Sequence, residues 1–82
     1  MNTQSTDKYF KTSDLALGAT LCYLGYAIEA IEKISYSKSL FLINKDDKLD
    51  GLIKDFWAHK LQVEPVAFFN SLKEIKNRLY DN

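Results

Sequence analysis

The sequence is short of most residues on which specialised chemistry is built. Its 82 residues include a single cysteine, Cys22, so no internal disulfide can form, and a lone thiol fits a reducing compartment or a buried site. One cysteine and one histidine, His59, cannot make an all-Cys/His zinc site. One proline and three glycines are too few for a fibre or a flexible linker. Lysine and arginine number 11 against 11 aspartates and glutamates, the net charge is zero, and Arg78 is the one arginine. Such a chain has no overall electrostatic hold on nucleic acid or anionic lipid, although a local patch survives the averaging. The most apolar stretch, residues 15–28, falls short of the ~20 residues of a spanning helix, and Gly18 and Gly25 interrupt it. The opening MNTQSTD has no basic segment followed by an apolar core, so no secretory signal is expected and a cytoplasmic location is.

What is present is globular. A hydrophobic fraction of 46% is too high for a disordered chain, and the length allows one domain. Residues 1–7 are expected to form a disordered polar tail, and residues 8–82 a single α+β domain. Lys8 to Lys11 has the pattern of a short strand. A helix is expected over residues 13–24, capped by Thr12, with Asp14 in its first turn and Gly25 at its end. That helix is apolar all round, which predicts burial on more than one side. Gly18 in its interior costs about 1 kcal/mol against alanine, which close approach of another backbone would offset. Residues 26–34 and the apolar Ser39 to Ile43 read as strands of a hairpin, joined by a turn at residues 35–38. Asp47 is the expected cap of a second helix with Leu49, Leu52, Ile53, Phe56 and Trp57 on one face. Pro65 opens a third, with Val63 and Phe68 placed as a hydrophobic staple and Phe68, Leu72, Ile75 and Leu79 as its inner stripe. A right-handed crossover makes the first two strands parallel, and the hairpin makes the third antiparallel to the second. The expected fold is strand-helix-strand-strand-helix-helix, a three-stranded sheet in order 1-3-2 packed with helices.

Tyr9-Phe10-Lys11-Thr12-Ser13-Asp14-Leu15-Ala16-Leu17, followed by Leu24-Gly25-Tyr26, resembles the opening of a family of small uncharacterised bacterial and phage proteins, a domain of unknown function. That family reads aromatic-x-Thr-x-Asp-x-x-Leu-Ala, then Leu-x-Gly. It continues with an apolar strand, an acidic helix start, an aromatic pair like Phe56-Trp57, and a segment like Val63 to Phe69. The resemblance runs from Lys8 to Tyr80, with Gly18 where the family pattern has alanine. It implies a phage or mobile-element origin and carries no activity.

Catalytic candidates are poor. His59 lacks a carboxylate and a nucleophile at a recognisable spacing. Cys22 lies among Leu21, Tyr23 and Leu24, with no charge on the same turn to favour a thiolate. Asp46, Asp47, Asp50 and Gly51 faintly suggest a calcium loop, but Lys48 and Trp57 fall where that loop needs oxygen ligands. Neither a metal nor a cofactor is expected, and no enzyme activity.

Three groups of residues are candidates for binding. Tyr9, Lys11, Thr12 and Ser13, at the start of the first helix, offer hydroxyls, a lysine and free amides to a phosphate or carboxylate. Phe69, Lys73, Lys76 and Tyr80 form a stripe of aromatics and cations on the third helix, suited to a partner or to stacked bases. Leu40 and Leu42 lie on a sheet face that, with all helices on the other side, would need a second copy of the chain to cover it. The expected function is a small non-enzymatic interaction module, a phage or mobile-element accessory acting on a protein partner and forming a homo-oligomer. The alternative is a nucleotide or nucleic-acid binder using the first helix N-terminus or the basic stripe.

Overall fold

The β-prone residues Tyr9, Phe10 and Thr12 make Tyr9–Thr12 a strand, β1. The computed structural model describes residues 8–81, so the tail expected over residues 1–7 lies outside the described residues. After β1 come α1 (Leu15–Tyr23), β2 (Ile28–Ser35), β3 (Lys38–Asn44), α2 (Leu49–Trp57) and α3 (Pro65–Asp81). The sheet order is β1-β3-β2, with β3 antiparallel to both neighbours, so β1 and β2 run parallel as the sequence predicts.

Register decides which side chains meet. Phe10 pairs with Ile43 and Thr12 with Phe41, while Ile28 and Ile31 oppose Ile43 and Phe41 from β2. Alternation puts these on one sheet face. Phe41, Ile43 and Ile28 join Leu17 and Leu21 of α1, Leu49 of α2 and Ile75 of α3 in a single core, so all three helices cover that face. Fully burying each large apolar side chain contributes up to about 1.5–3 kcal/mol.

The opposite face carries Lys11, Ala30, Glu32, Leu40 and Leu42. No helix lies over it, yet Leu42 is only 7% exposed. It sits on the middle strand between Lys11 and Ala30, and the Lys11 ammonium reaches the Glu32 carboxylate at 3.9 Å across β3. Leu40 is half-buried. Of the two leucines, Leu40 therefore holds most of the surface still open to a partner.

Helix α1 begins later than the sequence pattern suggests, and its cap is Asp14, not Thr12. The Asp14 carboxylate accepts the Leu17 amide at 2.8 Å, and the Thr12 hydroxyl accepts the Asp14 amide at 3.1 Å. At the other end Gly25 adopts φ +104°; its amide donates to the Cys22 carbonyl and that of Tyr26 to the Leu21 carbonyl. These paired bonds close the helix in a Schellman motif and use the Tyr26 amide, so β2 starts at Ile28 instead of residue 26. Helix α2 also differs from expectation. Asp47 does not cap it; the Asp46 carboxylate accepts the Lys48 amide at 3.0 Å, and Lys48 occupies the cap position without a side-chain bond. Its far end repeats the Schellman pattern, with His59 donating to the Phe56 carbonyl and Lys60 to the Asp55 carbonyl. There the left-handed position, φ 61°, is filled by His59 instead of glycine. In α3 the Glu64 carboxylate accepts the Ala67 amide at 2.8 Å, immediately before Pro65 at the first helical position.

Burial of α1 is the central packing event. Leu17, Gly18, Ala19, Thr20 and Leu21 are consecutive and all buried, so the helix has no solvent face over that stretch. Thr20 meets its hydroxyl requirement by donating to the Ala16 carbonyl at 2.7 Å. At Gly18 the close neighbours are side chains, not the backbone anticipated from sequence. A Cβ there would lie 3.2 Å from the Phe41 ring and 3.6 Å from Ile75 Cδ1.

Two substitutions are expected to move stability in opposite directions. Gly18→Val should destabilise by about 1–3 kcal/mol, because its methyls have nowhere to go between the Phe41 ring and Ile75. His59→Gly should stabilise by about 1 kcal/mol by removing a Cβ from a left-handed residue. Urea unfolding of each variant against the parent checks both.

Candidate functional site

Three of the concavities among the described residues differ in the state of their polar groups. The smallest, of 310 Å³, lies beside Tyr26, Asp46 and Lys48. Its chemistry is already used internally. The Tyr26 hydroxyl donates to Asp46 Oδ1 at 2.6 Å, tying the entry of β2 to the start of α2. That bond pushes the Tyr26 phenol up to about 12 and holds the Asp46 carboxyl below the usual carboxylate range.

The second, of 410 Å³, is lined by Cys22, Ile28, Glu74 and Arg78 among others. Arg78 donates to the Ile28 carbonyl at 2.8 Å and so fastens α3 to β2. Burial, with help from Glu74, pushes the Cys22 thiol up against the opposing pull of Arg78. A thiol with a raised pKa is a weak nucleophile at neutral pH.

The largest, of 580 Å³, is an open groove between the β2–β3 turn, the start of α1 and the end of α3. Its volume falls in the range of about 300–1,000 Å³ typical of ligand clefts. Leu15, Phe41 and Leu79 supply apolar lining, Ser13, Lys33, Ser37, Lys38 and Ser39 supply polar groups, and Tyr36 and Tyr80 supply aromatic rings. None of these polar side chains makes a hydrogen bond or ion pair among the described residues. Among the described residues no carboxylate lines the groove. Tyr36 is 99% exposed and Tyr80 79%, so both rings are open to contact.

The groove draws on two of the groups read from sequence and adds a third. Ser13 comes from the set at the first helix and Tyr80 from the α3 stripe. Tyr9, Lys11, Thr12 and Ser13 do not converge. The pleat of β1 sends Tyr9 and Lys11 to the helix-free face and Thr12 to the helix face, where its hydroxyl is engaged by Asp14. Lys11 is also engaged, by Glu32. The stripe survives: Phe69, Lys73, Lys76 and Tyr80 are all exposed along α3, and Val66, 65% exposed, extends it by one turn at helical spacing. Local pattern marks neither Lys33, which reads as a solvent-facing residue of the strand over 26–34, nor Tyr36 and Lys38, which fall in an ordinary turn at residues 35–38. The available signal was Tyr36-Ser37 itself, between the paired Ser35 and Lys38, where a two-residue hairpin loop favours Asn-Gly. His59 is exposed at the end of α2. Among the described residues no group of three or more His, Cys, Asp or Glu is placed to hold a metal ion, and no helix is long and apolar enough to cross a membrane.

The Tyr26–Asp46 bond gives stability a definite pH dependence. The lowered Asp46 pKa means its contribution is present above the ordinary value of 3.8 and lost as pH falls through the folded value. The raised Tyr26 pKa means its contribution is present below 10.0 and lost as pH rises through about 12. Tyr26→Phe should therefore melt below the parent by a constant margin from about pH 5 to about pH 9, a margin that closes on both sides. Thermal melts across that range check it.

Neither a curated protein nor a solved structure matches the chain. A family model, described as a domain of unknown function (DUF5659), matches residues 7–81, which takes in every strand and helix described above. The chain belongs to the DUF5659 family.

Proposed function

We propose that this domain is a small non-enzymatic binding module that engages a protein partner through the groove and the adjoining flank of α3. The observation that carries this reading is the continuity of exposed groups: Phe69, Lys73, Lys76 and Tyr80 run along α3 into a groove whose lysines and tyrosines make no hydrogen bond or ion pair among the described residues. Exposed aromatic side chains are enriched at protein interfaces, where flanking lysines belong to the polar rim. The helix-free sheet face around Leu40 is a second place where a protein, another copy of the chain included, would bury apolar surface. A cytoplasmic accessory protein of a phage or mobile element is the setting that the sequence resemblance favours. Nucleic acid is the other occupant, favoured by the two open tyrosine rings beside lysines, which could stack bases.

A photo-crosslinking phenylalanine analogue at position 69 tests the protein reading in cells that carry the natural partner. The expected result is one discrete protein adduct. Adding Tyr80→Ala with Lys73→Ala and Lys76→Ala should lower its yield at least about tenfold, equivalent to about 1.4 kcal/mol. Those side chains are exposed, so the fold should be unchanged by circular dichroism. A yield indifferent to the three substitutions counts against the surface. A discrete low-micromolar complex with single-stranded DNA at physiological salt would favour nucleic acid instead.

A further inference from the structure

We propose that the groove at the end of α3 takes an acidic segment of the partner protein, with carboxylates on Lys33 and Lys38 and an apolar side chain between Tyr36 and Tyr80. This deepens the protein-partner reading and rests on it.

Charge complementarity is the first support. The two lysines line the groove, and among the described residues neither forms an ion pair and no carboxylate lines the cavity with them. An anionic segment would meet two ammonium groups and no like charge among the described lining residues, the arrangement that steers encounter and sets orientation. The hydroxyls of Ser13, Ser37 and Ser39 offer further donors along the same wall.

The apolar part of the groove is the second. Phe41 belongs to the buried core yet also lines the cavity, beside Leu15 and Leu79. An ion alone would leave this surface wet, whereas an aliphatic or aromatic side chain flanked by carboxylates would use it. Tyr36 stands at the tip of a turn with 99% of its surface exposed, and Tyr80 with 79%; a peptide side chain entering between the rings would bury both.

The end of α3 selects among anions. Leu79 and Tyr80 belong to its last turn, where the carbonyl end of the helix carries partial negative charge. That field opposes a dense polyanion such as a phosphate backbone more than separate carboxylates, each of which can lie against its own lysine. The lone arginine, the residue suited to bidentate phosphate contact, is bonded to the Ile28 carbonyl and does not line the groove.

The test uses the full chain and three probes: a short peptide of glutamates around a central leucine, the same peptide with glutamine for glutamate, and an oligothymidylate strand. Backbone amide NMR shifts report where each binds. The acidic peptide is expected to move Ser13, Tyr36, Lys38 and Tyr80 saturably, and to bind at least about tenfold more tightly than the glutamine peptide. The double variant Lys33→Gln, Lys38→Gln should lose about tenfold of that affinity with an unchanged melting temperature, and Tyr36→Ala should weaken both peptides. Equal binding of the two peptides, shifts confined to other surfaces, an indifferent double variant, or tighter saturation by the oligothymidylate strand would each overturn the assignment. A Phe69 adduct that persists alongside such a result would leave the protein-partner reading standing and remove only the acidic occupant.

Discussion

The contact on which this domain depends is the one the Phe41 ring makes with a helix that has no side chain at position 18. Because Gly18 presents only hydrogen there, α1 lies close against both Phe41 of β3 and Ile75 of α3. The helix is thereby buried through five consecutive residues, which its own sequence requires, since a polar residue facing solvent is missing over that stretch. The glycine costs helix propensity of about 1 kcal/mol, and the close-packed contacts to Phe41 and Ile75 offset it. The same ring is part of the groove lining. The distance between sheet and α3, and with it the shape of the groove, is therefore set from inside the core.

Helix ends do the remaining positioning. Both short helices stop in paired C-terminal bonds at a left-handed residue, Gly25 in one and His59 in the other. The first stop turns the chain into β2, and Tyr26 immediately after it reaches Asp46 before α2. At the start of α3, the Tyr23 hydroxyl accepts the Glu64 amide at 3.0 Å, so the end of α1 also fixes where α3 begins. With Arg78 bonded to Ile28 near the other end, α3 is held at both ends across the sheet. Its last turn is brought to the β2–β3 turn as a consequence, and the groove is the gap between them.

Much of this architecture is legible in the sequence. The apolar periods of β3 and of Phe68, Leu72, Ile75 and Leu79 are strong enough to give element order and sheet order, since few arrangements bury those faces together. Boundaries are less so. Thr12 and Asp14 are both competent caps, as are Asp46 and Asp47, and only the path of the chain decides which oxygen meets the free amides. The sequence places Tyr9, Lys11, Thr12 and Ser13 together at the start of the first helix, but strand pleat sends Tyr9 and Lys11 to one face and Thr12 to the other. The groove was beyond local pattern because it joins residue 13 to residues 33–39 and 80, which no period relates. Tyr36-Ser37 was its one local trace. Neither residue takes a positive φ, and the register shift between Lys33 and Ser35 supplies the irregularity that lets an unfavoured loop close the hairpin.

Net charge misled for a physical reason as well. Eleven cations against eleven anions suggests a surface without electrical character, but a count treats every charge as equally free. Five carboxylates are engaged in building the fold: Asp14 and Glu64 hold helix amides, Asp46 holds Tyr26 and the Lys48 amide, Glu29 accepts from Asn44 at 2.7 Å, and Glu32 meets Lys11, whereas Asp47, Asp50, Asp55 and Glu74 make no such bond among the described residues. Lys33, Lys38, Lys73 and Lys76 have no such internal duties among the described residues. Carboxylates are natural acceptors for backbone amides at helix starts, whereas an ammonium can only donate, and the carbonyls it could serve are mostly already bonded. A chain neutral by count then has a groove and a helix flank that are basic by placement.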